Sequence, residues 1–222
     1  MPKPTFHNLP PDKRQRITDA AIDEFGAVPY VKATLDRIVE AAGISKGSMY
    51  QYFEGKADLY RWLLTEYLPA RKLEAIGATA PAPGASVWEI LEQAFLAGAR
   101  LAAAEPGLTR LGLRFLRDYE LDPGLTLIRQ QHRAAADAWL RGLLGEAMQR
   151  GELRADLDVS TAVGVLAHAL GEGALDLLAD RVGTTLEGLF EDPTATHSLT
   201  DAVLLEVVGN ITRLFRDGAG AP

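Results

Sequence analysis

The 222-residue chain contains no cysteine, which removes disulfide bridges, thiolate metal ligands and cysteine nucleophiles from consideration. Such a chain fits a reducing compartment. Histidine is nearly as scarce. His7, His132, His168 and His197 form no H-x-x-x-H or HExxH spacing, so neither a metal site nor a resident cofactor is expected. A phosphate-binding GxxxxGK is missing, and Gly171-Glu172-Gly173 lacks the third glycine and the preceding strand of a dinucleotide fingerprint. No stretch alternates Val, Ile, Thr or aromatic residues between turn signals, so no sheet is predicted. No stretch approaches the roughly 20 apolar residues of a membrane span, and Met1–Pro10 is polar and proline-rich rather than signal-like. The expectation is a cytoplasmic protein without a membrane partner.

What is present favours helices. Hydrophobic residues make up 47% and charged ones 24% of the chain, an ordinary globular balance, and Ala, Leu, Glu and Arg are strong helix formers. The net charge of −7 argues at first against an anionic partner, but it is unevenly spread. Residues 1–61 carry nine Lys/Arg against eight Asp/Glu, whereas the remainder carries 14 against 22. Only the local potential matters to a contact screened over about 8–10 Å.

One composition break stands out, Gly77-Ala-Thr-Ala-Pro-Ala-Pro-Gly-Ala85. Its two prolines restrict themselves and the residues before them, so a domain junction is placed there, between residues 11–68 and 85–217. Before it, Pro11 suits a first helical turn, and Ile17, Ala21 and Phe25 recur at four-residue spacing up to Gly26. Thr34 can cap a helix bearing Leu35, Ile38, Val39 and Ala42 that stops at Gly43, and Ser45 can cap another from Lys46 to about Tyr52. A fourth begins near Lys56, with Pro69 expected to kink or end it. Beyond the junction, helices are predicted over about 86–104, 107–118, 123–150, 160–181 and 198–217.

The informative stretch is TLDRIVEAAGISKGSMYQYFEGKADLY, Thr34 to Tyr60. Gly43 can take a positive φ and end one helix sharply, Ile44 plugs the core, and Ser45 starts the next. This is helix-turn-helix grammar, in which the second helix enters the major groove. Met49 and Phe53 point inward with Ile44, while Lys46, Gly47, Tyr50 and Gln51 point outward. Gly47 lets backbone approach DNA; Ser48, Tyr50 and Tyr52 offer hydroxyls; Gln51 can reach a base edge. Lys56 and Thr34, each at a helix N-terminus, can hold phosphates. The literal G-x-S-x-G of Gly43 to Gly47 lacks the strand that a hydrolase nucleophile elbow requires, so no enzyme is expected.

Those residues resemble the DNA-binding domain of the tetracycline-repressor (TetR) family, closely over about residues 11–68. Residues 85–217 match only in helix count and apolar pattern. The resemblance implies an all-α homodimer whose first three helices bind double-stranded operator DNA and whose last two pair with the partner's in a four-helix bundle. It also implies a C-terminal domain for dimerisation and for an unidentified small-molecule effector, and a repressor that this effector releases. One departure is Ala27-Val-Pro-Tyr-Val-Lys32, where family members often carry a glycine.

For the effector, Trp88, Phe95, Phe115, Tyr119, His132, Trp139 and His168 lie on helices that would enclose a pocket, with Glu172 one turn beyond His168. Aromatic residues with a few polar groups suit a small-molecule cavity, and they suit a helical core equally well. The stripes Val163, Leu166, Leu170, Ala174, Leu177 and Leu204, Val207, Val208, Ile211, Leu214, Phe215 could likewise be core or dimer interface.

Overall fold

Proline marks the start of several helices in the computed structural model, which describes residues 1–78 and 81–219, without the side chains of Leu121, Glu172, Pro193 and Thr194. Pro4, Pro11 and Pro106 each occupy a first helical turn, where the missing N–H would be unpaired anyway. Among the described residues there is no strand. The chain divides into two compact units, residues 1–71 with 105–129 and residues 72–104 with 130–222.

The first unit contains α1 (Pro4–His7), α2 (Pro11–Ala27), α3 (Leu35–Ala42), α4 (Lys46–Tyr52) and α5 (Lys56–Trp62). A π-helical turn, Leu63–Tyr67, follows and leads into α6 (Leu68–Gly77). Of the two outcomes expected at Pro69, a kink or an end, the second does not occur: the helix continues there through a π-helical distortion. Leu68 N–H reaches back five residues to Leu63 O, and this wider turn lies just where a proline ring would crowd the preceding turn of a regular helix.

α8 (Pro106–Asp118), a 3₁₀ turn at Tyr119–Leu121 and the start of α9 (Pro123–Gln149) complete this unit. By sequence they had been grouped with the C-terminal half. Two glycines explain why α8 packs on α2 instead. A Cβ on Gly26 would stand 3.3 Å from Arg110 Cβ and from Leu111 N, and one on Gly107 would stand 3.3 Å from Asp23 Oδ1. The two helices thus meet more closely than most side-chain Cβ contacts, which the absence of a Cβ at Gly26 and Gly107 accommodates without any shift. Phe25, Ile38, Phe53, Leu59 and Leu111 are fully buried in the shared core.

The second unit holds α7 (Val87–Ala104), the remainder of α9, α10 (Val159–His168), α11 (Ala174–Arg181), α12 (Leu186–Glu191), α13 (Pro193–His197) and α14 (Asp201–Ala219). α14 packs on α7 and α11. Arg100 makes a two-pronged pair with Asp201 at 2.9 and 3.0 Å, and Arg154 N–H caps the end of α14 at Ala219 O, 3.1 Å. The helix predicted over 160–181 is broken by a π-helical turn at Ala169–Gly173, in which Gly171 leaves helical geometry (φ −90°, ψ −113°). The short α12, capped by Thr185, and α13 were not anticipated, because neither is long enough to show a period.

The run Val159–Arg181 also corrects the expectation that nothing resembles a membrane span. Its mean hydropathy of 1.4 and its length suffice, and only 29% of its most apolar stretch is buried. A core or interface helix of a globular protein meets the same description. Val163, Leu166 and Ala174 of the stripe are buried within the protomer, as are Leu204, Val207 and Val208 of α14. The apolar residues left outward are Val165, Leu177, Leu205 and Leu214.

Candidate nucleic-acid interface

The turn between α3 and α4 forms as its residues dictate. Gly43 sits at φ 65°, ψ 39°, a left-handed conformation that closes α3, and Ile44 N–H bonds back to Val39 O at 3.0 Å. Ser45 Oγ accepts the Ser48 N–H at 3.1 Å and lies 2.8 Å from the Ser48 hydroxyl, so the serine of the apparent nucleophile elbow is a helix cap. At the start of α3, Thr34 Oγ1 accepts from Arg37 N–H, while Thr34 N–H donates to Glu24 Oε1 at 2.9 Å. Glu24, which sequence reasoning did not single out, also pairs with Arg37 at 3.5 Å and so ties α2 to the cap.

Met49 and Phe53 are fully buried, and Lys46, Gly47, Tyr50 and Gln51 form an exposed outer face, Tyr50 being 46% exposed. Lys46 Nζ lies 2.7 Å from Asp36 Oδ1, and this hydrogen bond holds its pKa above the ordinary lysine value. Both partners are exposed, so the pair is weak and can be exchanged for a phosphate. Tyr52 does not join the outer face. Its ring is buried near Phe6 (6.2 Å), with the Lys13 ammonium 5.7 Å from its centroid.

Lys56 has a different role from the phosphate clamp expected of it. Its ammonium donates to Tyr30 O at 2.8 Å and Ala33 O at 3.0 Å, and stands 4.4 Å from the Tyr30 ring. It thereby stitches the 28–34 link onto α5. Tyr30 N–H in turn donates to the buried Asp118 at 3.1 Å, and its ring stacks on Tyr60 at 4.8 Å. Burial, with Asp118 and Tyr30 nearby, holds the Tyr60 phenol well above its ordinary range. The two lysines should separate experimentally. Lys46→Ala will lower the slope of log affinity against log salt by about one. Lys56→Met will leave that slope unchanged but lower stability by about 1–2 kcal/mol, because two carbonyls lose a charged donor. Salt titrations and denaturant melts of both variants are the check.

The profile of bacterial regulatory proteins of the tetR family matches residues 17–62, a span that begins in α2, covers α3 and α4, and ends with α5. The HTH-type transcriptional regulator SrpR of Pseudomonas putida is 30% identical over 160 residues, covering 69% of this chain and 70% of that protein. The chain belongs to the TetR family. It is therefore a helix-turn-helix transcriptional regulator. A TetR-family regulator from Chloroflexus aurantiacus J-10-FL superposes over the full length of both chains with TM-score 0.78 and 28% identity. FadR from Bacillus subtilis, solved in complex with stearoyl-CoA, shares the fold at TM-score 0.65 and 21% identity, covering 87% of this chain and 97% of that one.

The effector residues named from the sequence of this TetR-family regulator are dispersed. Phe115 is buried in the core of the first unit, with Tyr119 packed beside it at 6.4 Å. Trp88, Phe95, His132, Trp139 and His168 belong to the second unit. There Phe95 is buried, while Trp139 (45% exposed) and His168 face outward. Trp88 lines an open hollow of about 510 Å³ with Glu89, Glu92, Thr212, Arg213 and Arg216. The side chain of Glu172 lies outside the described residues.

Proposed function

We propose that this regulator is a repressor that binds a palindromic operator as a homodimer in the bacterial cytoplasm and is released by a small-molecule effector bound in its C-terminal part. The observation that carries the DNA reading is the capped Gly43-Ile44-Ser45 turn, which fixes α4 with Lys46, Gly47, Tyr50 and Gln51 on one open face. In this reading Thr34, Ser45, Lys46 and Tyr50 meet sugar–phosphate, Ser48 supports the helix start, and Gln51 meets a base edge. A single seven-residue helix touches too few base pairs for useful specificity. Two copies related by a two-fold axis, reading half-sites about 34–36 Å apart or slightly more, supply it.

Selection of bound sequences from random DNA, followed by footprinting, is the direct test. A palindromic logo is the expected result, and Gln51→Ala should flatten one position per half-site, a loss of about 1–2 kcal/mol in discrimination. An unchanged logo removes Gln51 from base reading, and recovery of no preferred sequence removes the operator reading itself.

Release by an effector needs only differential affinity for two dimer shapes. A coupling of about 1–3 kcal/mol corresponds to roughly 5–150-fold weaker operator binding, with the same factor returned on the effector by reciprocity. A thermal-shift screen of lipophilic compounds, followed by operator titration with each hit, tests this part separately. Hits that bind but leave operator affinity unchanged would make the C-terminal part a binding module rather than a switch.

A further inference from the structure

The polar stretch ahead of α2 is docked on the far end of the DNA-reading helix. Phe6 is fully buried, 4.8 Å from the Phe53 ring and edge-on to Trp62 at 5.1 Å. From this anchor, three donors reach the last three carbonyls of α4. Lys3 N–H donates to Tyr52 O at 2.8 Å, Lys3 Nζ to Tyr50 O at 2.9 Å, and the Thr5 hydroxyl to Gln51 O. Lys3 Nζ also lies 2.8 Å from Glu54. Lys3, Thr5 and Phe6 all precede the 17–62 span that the family profile covers, whereas their partners lie within it.

A helix leaves its last four carbonyls without internal partners, and α4 needs help at that end more than most. It has only seven residues, and it ends in extended backbone at Phe53 (φ −137°, ψ 152°) rather than in a left-handed glycine. The Ser45 cap serves the N-terminal end alone. At the other end, the segment supplies the missing donors, and its ammonium faces the negative pole of the helix dipole.

We propose that Lys3, Thr5 and Phe6 are positioning residues for operator reading: they brace the C-terminal end of α4, holding Tyr50 and Gln51 in their reading pose without touching DNA themselves. This rests on α4 being the DNA-reading helix. The Lys3 ammonium is bound to a carbonyl of α4 itself, so in this proposal it acts through the helix.

The double variant Lys3→Pro with Thr5→Val tests the brace with Phe6 left in place. Lys3 has φ −74°, which proline adopts without strain, so the variant removes all three donors together with the Lys3–Glu54 pair. Amide exchange of the full-length, DNA-free protein should accelerate about tenfold across residues 49–53, with the rest of the core unchanged. Operator affinity should fall about tenfold with the salt slope preserved, whereas the single variant Lys3→Arg, which keeps the backbone N–H and a cationic donor, should stay close to wild type in both readouts. Unchanged exchange in α4 overturns the brace. So does a salt slope lowered by about one with exchange unchanged, since that marks Lys3 as a phosphate contact. If the wild-type protein selects no DNA sequence, the operator reading fails, and the exchange measurement still decides whether the segment braces α4.

Discussion

Gly47→Leu should leave the protein folded and weaken operator binding on the order of 100-fold, or about 2.7 kcal/mol. Nothing within the protein asks for glycine at this position. A Cβ built there would find its nearest neighbour, Ser45 Oγ, at 3.9 Å, and Gly47 is not among the glycines with positive φ. As a helical residue it is a poor choice, since leucine would favour the helix by up to about 1 kcal/mol. Gly43 is the contrast. There too the space is open, but φ 65° itself explains the glycine.

With α4 in the groove as proposed, its backbone at position 47 approaches DNA closely, and a side chain there would hold it away. The variant should melt at or above the wild-type temperature while losing sequence-specific binding. Retained operator affinity would mean that this part of α4 stands clear of the groove, and the outer face would have to be reassigned towards Tyr50 and Gln51.

The parts of the fold that were legible in the sequence are those fixed by neighbours a few residues apart. Thr34, Gly43 and Ser45 each act on a backbone group within four residues, so the α3–turn–α4 unit could be read directly with its boundaries. Lys56 was visible as a lysine at a helix start, but its partners Tyr30 and Ala33 lie more than 20 residues away, and no local pattern announces them. The same holds for Phe6. A large aromatic beside the helix-starting Pro4 in an otherwise polar stretch was the available signal, whereas its partners Phe53 and Trp62 are distant in sequence.

Packing partners account for the larger misreadings. The proline-rich break at 77–85 is a linker in composition, yet the chain after it returns at residue 105 to pack on α2, where Gly26 and Gly107 permit the approach. This placed Phe115 in the core of the first unit with Tyr119 packed against it, the core alternative of the two that the sequence had left open. In α10 and α14 the periodicity identified apolar faces correctly but could not tell burial within the protomer from burial against a partner. Val163 and Leu204 are the former.

That distinction sets the last expected result, which concerns assembly. Val165 on α10, Leu177 on α11 and Leu205 on α14 remain 49%, 48% and 45% exposed. Scattered exposed leucines are commonplace, but these three lie on the helices that the resemblance to the family implied would pair with a partner's. Fully burying such a side chain contributes about 1.5–3 kcal/mol, whereas a carboxylate forced into the same place without a partner costs several. Val165→Asp combined with Leu177→Asp should thus yield a folded monomer, because both positions face away from the protomer core. Operator binding would then rest on one half-site. Losing the second half-site's intramolecular advantage should weaken affinity by about 10²–10⁴-fold, with the base preference within each half-site unchanged. Light scattering and footprinting on the same samples make the comparison. A double variant that stays dimeric would place the interface elsewhere on α10, α11 or α14, and a monomer that binds the full palindrome as tightly as wild type would show that the two-fold pairing does not set operator affinity.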